Sequence, residues 1–216
     1  MGKAKYGVYG PITGKLSNLV WFSRYGLDYV RTKGERTAPL SALQKANCRD
    51  MAVLMDFFKN MKPFLKAGFG HLAVGTTLNY HNLATACNKL QAITHEAGES
   101  RINFEAVLLS DGGAMEPKDP TVRLSDHSLE FTWMYNEATD WTSKTDQVML
   151  MAYFPESNEA VYSTSGAKRS EMRDVLLLPS SLRTKRMEVY IAFQNDERTD
   201  ASRSLYLGQL NEFPAP

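Results

Sequence analysis

Cysteine is scarce in this chain: 216 residues hold two, Cys48 and Cys87. Two thiols cannot staple a disulfide framework, and without a C-x-x-C pair or a Cys/His cluster no zinc site is read. No apolar run approaches the roughly 18–20 residues a helix needs to cross a bilayer, so no membrane insertion is expected. The opening Met1-Gly2-Lys3-Ala4-Lys5 is basic but no apolar stretch follows it, and Tyr6 stands where myristoylation wants Ser or Thr. The expectation is a cytoplasmic protein with reduced thiols, with export by another route left open. Compositional bias is also lacking. With 43% hydrophobic and 23% charged residues the chain reads as globular, one large domain or two small ones.

Catalytic signatures are equally sparse. Gly10-Pro11-Ile12-Thr13-Gly14-Lys15 has three residues between its glycines where a phosphate-binding loop needs four, and Leu16 follows the lysine. A glycine-rich turn is the simpler reading. His71, His81, His95 and His127 never fall at the i, i+4 spacing of a helical metal pair. Ser125, Asp126 and His127 are adjacent, so on an extended segment they point to opposite faces and form no relay. Asp196, Glu197 and Asp200 are close enough in sequence to gather around a cation, but solvated loop charge explains them as well. The expectation is no catalytic residue, no cofactor and no metal: not an enzyme.

What the chain does have is a charge division. Residues 1–100 carry 13 Lys and Arg against 6 Asp and Glu, and the remainder 12 against 18, beneath an overall charge of +1. Such asymmetry either draws the two parts together or gives them different partners.

Patterning divides the chain at the same place. Residues 1–36 read as glycine-punctuated β-structure: one strand from Lys15 to Ser23, a turn at Arg24-Tyr25-Gly26-Leu27 and a return over Asp28–Lys33. On this reading Leu16, Val20 and Phe22 share one face, and Leu19 and Trp21 the other. Apolar spacings of 3 and 4 predict a helix over 37–66, capped by Thr37 or Ser41 and ended or kinked by Pro63. Gly68 and Gly70 mark a loop, and a second helix is expected near 77–93. After Gly98 short strands follow: Ile102–Leu109, Leu129–Trp133, Gln147–Phe154, Ala160–Thr164, Asp174–Leu178, Met187–Phe193 and Ser202–Leu207. Seven short strands with turns between them predict an immunoglobulin- or fibronectin-like sandwich over 99–216. Its core should hold Trp133, Val148, Leu150, Val189, Ile191 and Leu205. The fold class is therefore α+β, with a basic hairpin-plus-helices module at 1–98.

The opening Gly7, Gly10, Gly14 and Lys15, then Asn18, Val20 and Gly26-Leu27-Asp28-Tyr29-Val30-Arg31, carry a resemblance. So do Gln44 and Arg49, Phe64-Leu65-Lys66-Ala67-Gly68-Phe69, the turn from Val107 to Gly112, Phe131-Thr132-Trp133 and Ser204-Leu205-Tyr206-Leu207-Gly208. Over nearly its whole length the chain resembles a family of uncharacterised proteins common in the Bacteroidetes, a domain of unknown function. The resemblance implies architecture and brings no catalytic residues.

The functional expectation is a non-catalytic binding or assembly protein, with a protein partner or self-association. Its interaction surface is expected at Lys15, Leu19, Trp21, Arg24, Tyr25 and Arg31, because an isolated hairpin apolar on both faces must be covered by something. The alternative is nucleic-acid binding, through Lys3, Lys5, Lys15, Arg24, Arg31, Lys33 and Arg36 interleaved with Tyr6, Tyr9, Trp21 and Tyr25. A third reading is a sugar-processing enzyme using loop carboxylates.

Overall fold

The computed structural model describes residues 2–4, 7, 10–24, 26–35, 37–96 and 98–211. The protein is mixed α+β, and it divides into two compact units, 1–45 and 46–216.

The first unit is a meander of β1 (Lys3–Ala4), β2 (Ile12–Leu16), β3 (Leu19–Arg24) and β4 (Leu27–Thr32), paired in that order and antiparallel. The single strand expected from Lys15 to Ser23 is in fact two. The chain reverses at Ser17-Asn18, with Ser17 at φ 53 and Leu16 pairing back onto Leu19. A polar Ser-Asn pair between apolar residues is a turn signal, which the continuous alternation on either side conceals. The turn at Tyr25-Gly26 falls where expected, Gly26 supplying φ 78, although Tyr25 itself lies outside the described residues.

The helix expected over 37–66 is α1 (Ala42–Phe58) followed by a separate α2 (Lys62–Phe69). Ser41, not Thr37, caps α1: its Oγ accepts from the Gln44 amide at 3.3 Å while Gln44 Oε1 accepts from the Ser41 amide at 3.0 Å. Pro63 does not end the first helix. It sits in the first turn of the second, where the missing N–H costs no hydrogen bond. Gly68 and Gly70 are likewise not a loop; Gly68 lies inside α2 and Gly70 caps it. A side chain at Gly68 would collide with the backbone at Leu109 and Ser110, so glycine here serves close packing rather than a turn. The second predicted helix is α3 (Tyr80–Gln91), with Asn79 accepting from the Asn82 amide at 2.8 Å.

A hairpin follows, β5 (Ile93–Glu96) with β6 (Glu99–Ile102). The strand expected over Ile102–Leu109 therefore stops at its first residue. Phe104–Ala106 forms a 3-10 turn, and the backbone beyond it is held by side chains. Asn88 bonds both the N–H and the C=O of Leu108, and Ser204 Oγ accepts from Leu109.

The remaining strands form two antiparallel sheets. One has the order β10 (Glu159–Ser163), β9 (Gln147–Phe154), β12 (Met187–Gln194), β13 (Leu205–Leu210); the other has β11 (Arg173–Leu177), β8 (Ser128–Met134), β7 (Lys118–Leu124). A short helix, α4 (Glu137–Asp140), follows β8. The last strand begins three residues later than expected, and β7 was not expected at all. Its register shifts between Lys118 and Thr121, around Asp119 at φ 42 and Pro120. Proline and a bulge are tolerated because β7 is an edge strand.

The four-stranded sheet is covered on both faces. Val148, Leu150, Ala152, Val189, Ile191 and Phe193 meet Leu129, Phe131, Trp133 and Leu176 of the three-stranded sheet. The opposite face, through Met149, Met151, Tyr153, Tyr190 and Ala192, packs on Leu54, Phe57, Phe58, Phe64, Leu65 and Ala84 of the helices. This is why β9 and β12 read as almost unbroken apolar runs. Of the expected core residues, Trp133 is 3% exposed, Val148, Leu150, Val189 and Ile191 are fully buried, and Leu205 is partly buried. Among the described residues no helix is long and apolar enough to cross a membrane.

Candidate functional site

The register of the N-terminal sheet sorts the expected interaction residues onto two faces. Lys15 pairs with Val20, Val20 with Arg31, Phe22 with Tyr29 and Arg24 with Leu27, so these seven residues share one face. Leu16 pairs with Leu19 and Trp21 with Val30, and both pairs lie on the other. Of the predicted surface, the structure thus brings Lys15, Arg24 and Arg31 together and sets Leu19 and Trp21 apart from them. Leu16 joins Leu19 and Trp21, not Val20 and Phe22, because the turn at Ser17-Asn18 resets the alternation.

On the cationic face the Phe22 and Tyr29 rings are stacked, 5.4 Å between centroids and 18° from parallel. The acid nearest in sequence, Asp28, is on the opposite face, bonded to its cross-strand partner Ser23. The apolar face holds Leu16, Leu19, Trp21 and Val30. The Trp21 indole N–H there is shielded from solvent and has no partner among the described residues.

A second site, inside the unit of residues 46–216, went unnoticed in the sequence. Glu188 is 1% exposed, on the face of β12 that also carries Tyr190 and Ala192. Arg186 donates to its Oε1 from Nε at 3.0 Å and Nη2 at 2.7 Å, and the Tyr206 hydroxyl donates to its Oε2 at 2.6 Å. Tyr206 reaches the carboxylate through a bulge. The pairing slips between Val189–Gly208 and Tyr190–Tyr206, turning the Tyr206 ring onto the face of Tyr190, 5.3 Å between centroids. Burial, then the bond to Glu188, pushes the Tyr206 phenol well above its ordinary range. Burial pushes Tyr153 up to about 12.

Around this network opens a cavity of about 710 Å³, whose lining includes Phe104, Tyr153, Tyr206, Arg101, Glu105 and Gln209. The signal was present. Met187-Glu188-Val189-Tyr190 alternates as if Glu188 faced water, yet its companions Tyr190 and Ala192 are what a covered face carries.

Among the described residues, other candidate groups gather into no further site. His71 Nε2 lies 3.2 Å from Asp200 Oδ1 without a hydrogen bond between them; Asp200 Oδ1 accepts from the amides of Gly113 (3.0 Å) and Ala201 (2.8 Å), tying two loops. Asp196, Glu197 and Asp200 do not converge, and among the described residues no group of three or more His, Cys, Asp or Glu side chains is placed to hold a metal. Cys48 on α1 is exposed and Cys87 on α3 partly buried, and burial pushes the Cys87 thiol up.

Fold and sites together define a mixed α+β protein with a two-faced basic N-terminal sheet and a polar cavity built on a buried carboxylate. The chain belongs to a family of unknown function, DUF6266, whose model matches residues 11–208. That span takes in the paired strands β2 to β4 as well as Glu188 and Tyr206. No curated protein and no solved structure matches the chain.

Proposed function

We propose that the protein is a non-catalytic binding or assembly protein whose N-terminal sheet is the recognition element. Strands β7 to β13 would serve as its frame, an immunoglobulin- or fibronectin-like sandwich. Three strands against four, all antiparallel, with the chain changing sheets after β8, β10 and β11, support that reading. The observation that carries the function is the division of the N-terminal sheet into two faces of different chemistry. Leu16, Leu19, Trp21 and Val30 form an apolar patch, with Thr32 and the Ser23–Asp28 pair beside it, on a four-stranded sheet in which no described residue is fully buried. An apolar patch of this kind favours association, here with a second copy of the chain.

The test is sedimentation of the full chain against one lacking residues 1–36. The full chain is expected to self-associate, and the truncated one to remain folded and monomeric. Leu19→Asp should weaken association by tenfold or more, since burying one leucine is worth about 1.5–3 kcal/mol and each 1.4 kcal/mol is tenfold. A full chain that is monomeric at all concentrations, or a truncated chain that still associates, defeats the proposal.

A second reading, nucleic-acid binding, is favoured by the other face. A stacked Phe22–Tyr29 pair beside Lys15, Arg24 and Arg31 has the composition of a single-strand platform, with aromatic rings for bases and cations for phosphates. A salt-dependent gel shift of single-stranded DNA or RNA at about 50 mM salt, weakened by Tyr29→Ala, is its expected result. No shift at that salt removes it.

A further inference from the structure

The cavity around Glu188 has a lining that selects among ligand classes. Its two arginines are already engaged. Arg186 grips Glu188, and Arg101 lies 3.1 Å from Glu96 and 3.7 Å from Glu99. With Glu96, Glu105 and Glu188 all in the lining, carboxylates outnumber guanidinium groups three to two. A phosphate or carboxylate ligand would have to draw the exposed Arg101 away from Glu96 and Glu99, and would meet a surplus of negative charge. A purely apolar ligand would strip water from the Gln209 amide and the Glu105 carboxylate without replacing it.

What remains is a neutral molecule with both a C–H face and many hydroxyls. The half-buried rings of Phe104 and Tyr206 offer apolar faces, with Tyr153 packed beneath them at 6% exposure, while the glutamates and amides offer donors and acceptors around them. The cavity, about 710 Å³, lies within the range of small-molecule sites, about 300–1,000 Å³. The lining rings are also fixed in place. Tyr206 is locked to Glu188, Tyr153 donates to Asn158 Oδ1 at 3.2 Å, and the Phe104 carbonyl accepts from the Tyr190 hydroxyl at 2.7 Å. Rings held this way lose little freedom on binding, which favours affinity. The bulge that turns Tyr206 inward is the kind of backbone feature that re-aims a side chain beside a binding site.

We infer that this cavity binds a neutral saccharide through stacking on Phe104 and Tyr206 and hydrogen bonds to Glu105, Gln209 and the Glu188 network. The site is lined only by residues of the unit 46–216 and uses none of the N-terminal sheet, so its test is independent of the function proposed above.

The experiment is saturation-transfer NMR and calorimetry on the full chain with a panel of neutral oligosaccharides (glucose-, mannose-, galactose- and N-acetylglucosamine-based), with oligogalacturonate as the acidic comparison. At least one neutral member is expected to bind, and oligogalacturonate to bind at least tenfold more weakly. Phe104→Leu and Tyr206→Leu, each removing a stacking ring, should each weaken the neutral ligand several-fold. If either variant unfolds, Glu105→Gln in the exposed part of the lining takes its place, with the same expected loss. Absence of binding across the neutral panel at millimolar concentration overturns the inference. So does binding that these variants leave unchanged, or a preference for oligogalacturonate.

Discussion

Replacing Arg169 with alanine is expected to lower stability by about 3–5 kcal/mol, the range for removing one partner of a buried ion pair. The guanidinium is 1% exposed, lies 3.7 Å above the Phe193 ring, and has its Nη2 2.6 Å from the Met115 carbonyl and 3.3 Å from Asp146 Oδ2. Its Nη1 donates to the Glu116 carbonyl at 3.2 Å, and its own carbonyl accepts from the Trp133 indole at 2.7 Å. Truncation leaves a cavity beside Phe193, two carbonyls without donors and a buried carboxylate without a counter-ion. Burial already pushes the Asp146 carboxyl up, against the pull of Arg169. Without the arginine it rises further, so the folded variant takes up a proton that the unfolded chain releases. Its deficit should therefore shrink as pH falls from 8 toward 5, where the neutral carboxyl is cheap to bury. Arg169→Lys should not rescue it, because a single ammonium cannot bond both carbonyls and Asp146 and still stack on Phe193. Arg169→Met with Asp146→Leu should recover part of the loss, since no charge is then left alone, while the Met115 and Glu116 carbonyls still lack donors. Urea unfolding at the two pH values measures all three. A deficit below 1 kcal/mol in Arg169→Ala would show the pair to be expendable.

Local patterning carried most of the fold and little of the sites. Strands β8, β9 and β12 were legible because apolar residues crowd them, and Trp133 declared its own burial. Strand β7 was not, because Lys118-Asp119-Pro120 breaks its pattern and only Val122 packs inward. As an edge strand it needs no more. The segment after Ile102 misled for the opposite reason. Phe104, Val107, Leu108 and Leu109 have strand composition, but their partners are the side chains of Asn88 and Ser204, distant in sequence. Burial was legible there; pairing was not.

At the N-terminus the residue types of an interaction surface were visible, and their division between two faces was not. Lys15, Trp21 and Arg31 read alike along the chain, and only the Ser17-Asn18 reversal decides which of them share a face. The Glu188 cavity shows the same limit from the other side. An acid alternating with apolar residues is the mark of a solvated edge until a second layer covers that edge. The covering layer here is encoded more than eighty residues earlier, in the helices and the Phe104 turn. No window along the strand contains that information.

Asn88→Ala is expected to cost about 3 kcal/mol or more. Asn88 is fully buried on α3, and its amide does the work of a neighbouring strand. Nδ2 donates to the Leu108 carbonyl at 2.7 Å and to the Ala84 carbonyl at 2.9 Å, while Oδ1 accepts from the Leu108 N–H at 2.8 Å. Alanine leaves the N–H and C=O of Leu108 unpaired where water is excluded, and each such group costs about 1–3 kcal/mol. The Ala84 carbonyl keeps its helical partner, so it adds little. Asn88→Asp should be worse: the carboxylate still accepts from Leu108 N–H but turns an oxygen toward two carbonyls, with a buried charge besides. Urea unfolding gives the totals, and amide exchange gives the location. Protection should fall first at Leu108 and Leu109, then at Ser110, whose carbonyl accepts from Ser204. Because Phe104 lies four residues upstream on the same tethered stretch, loosening Leu108 should also mobilise the lining of the Glu188 cavity. The Tyr190 hydroxyl bond to the Phe104 carbonyl is the readout there. If Asn88→Ala unfolds with the wild-type midpoint, the segment is held by its apolar contacts alone and the amide is incidental.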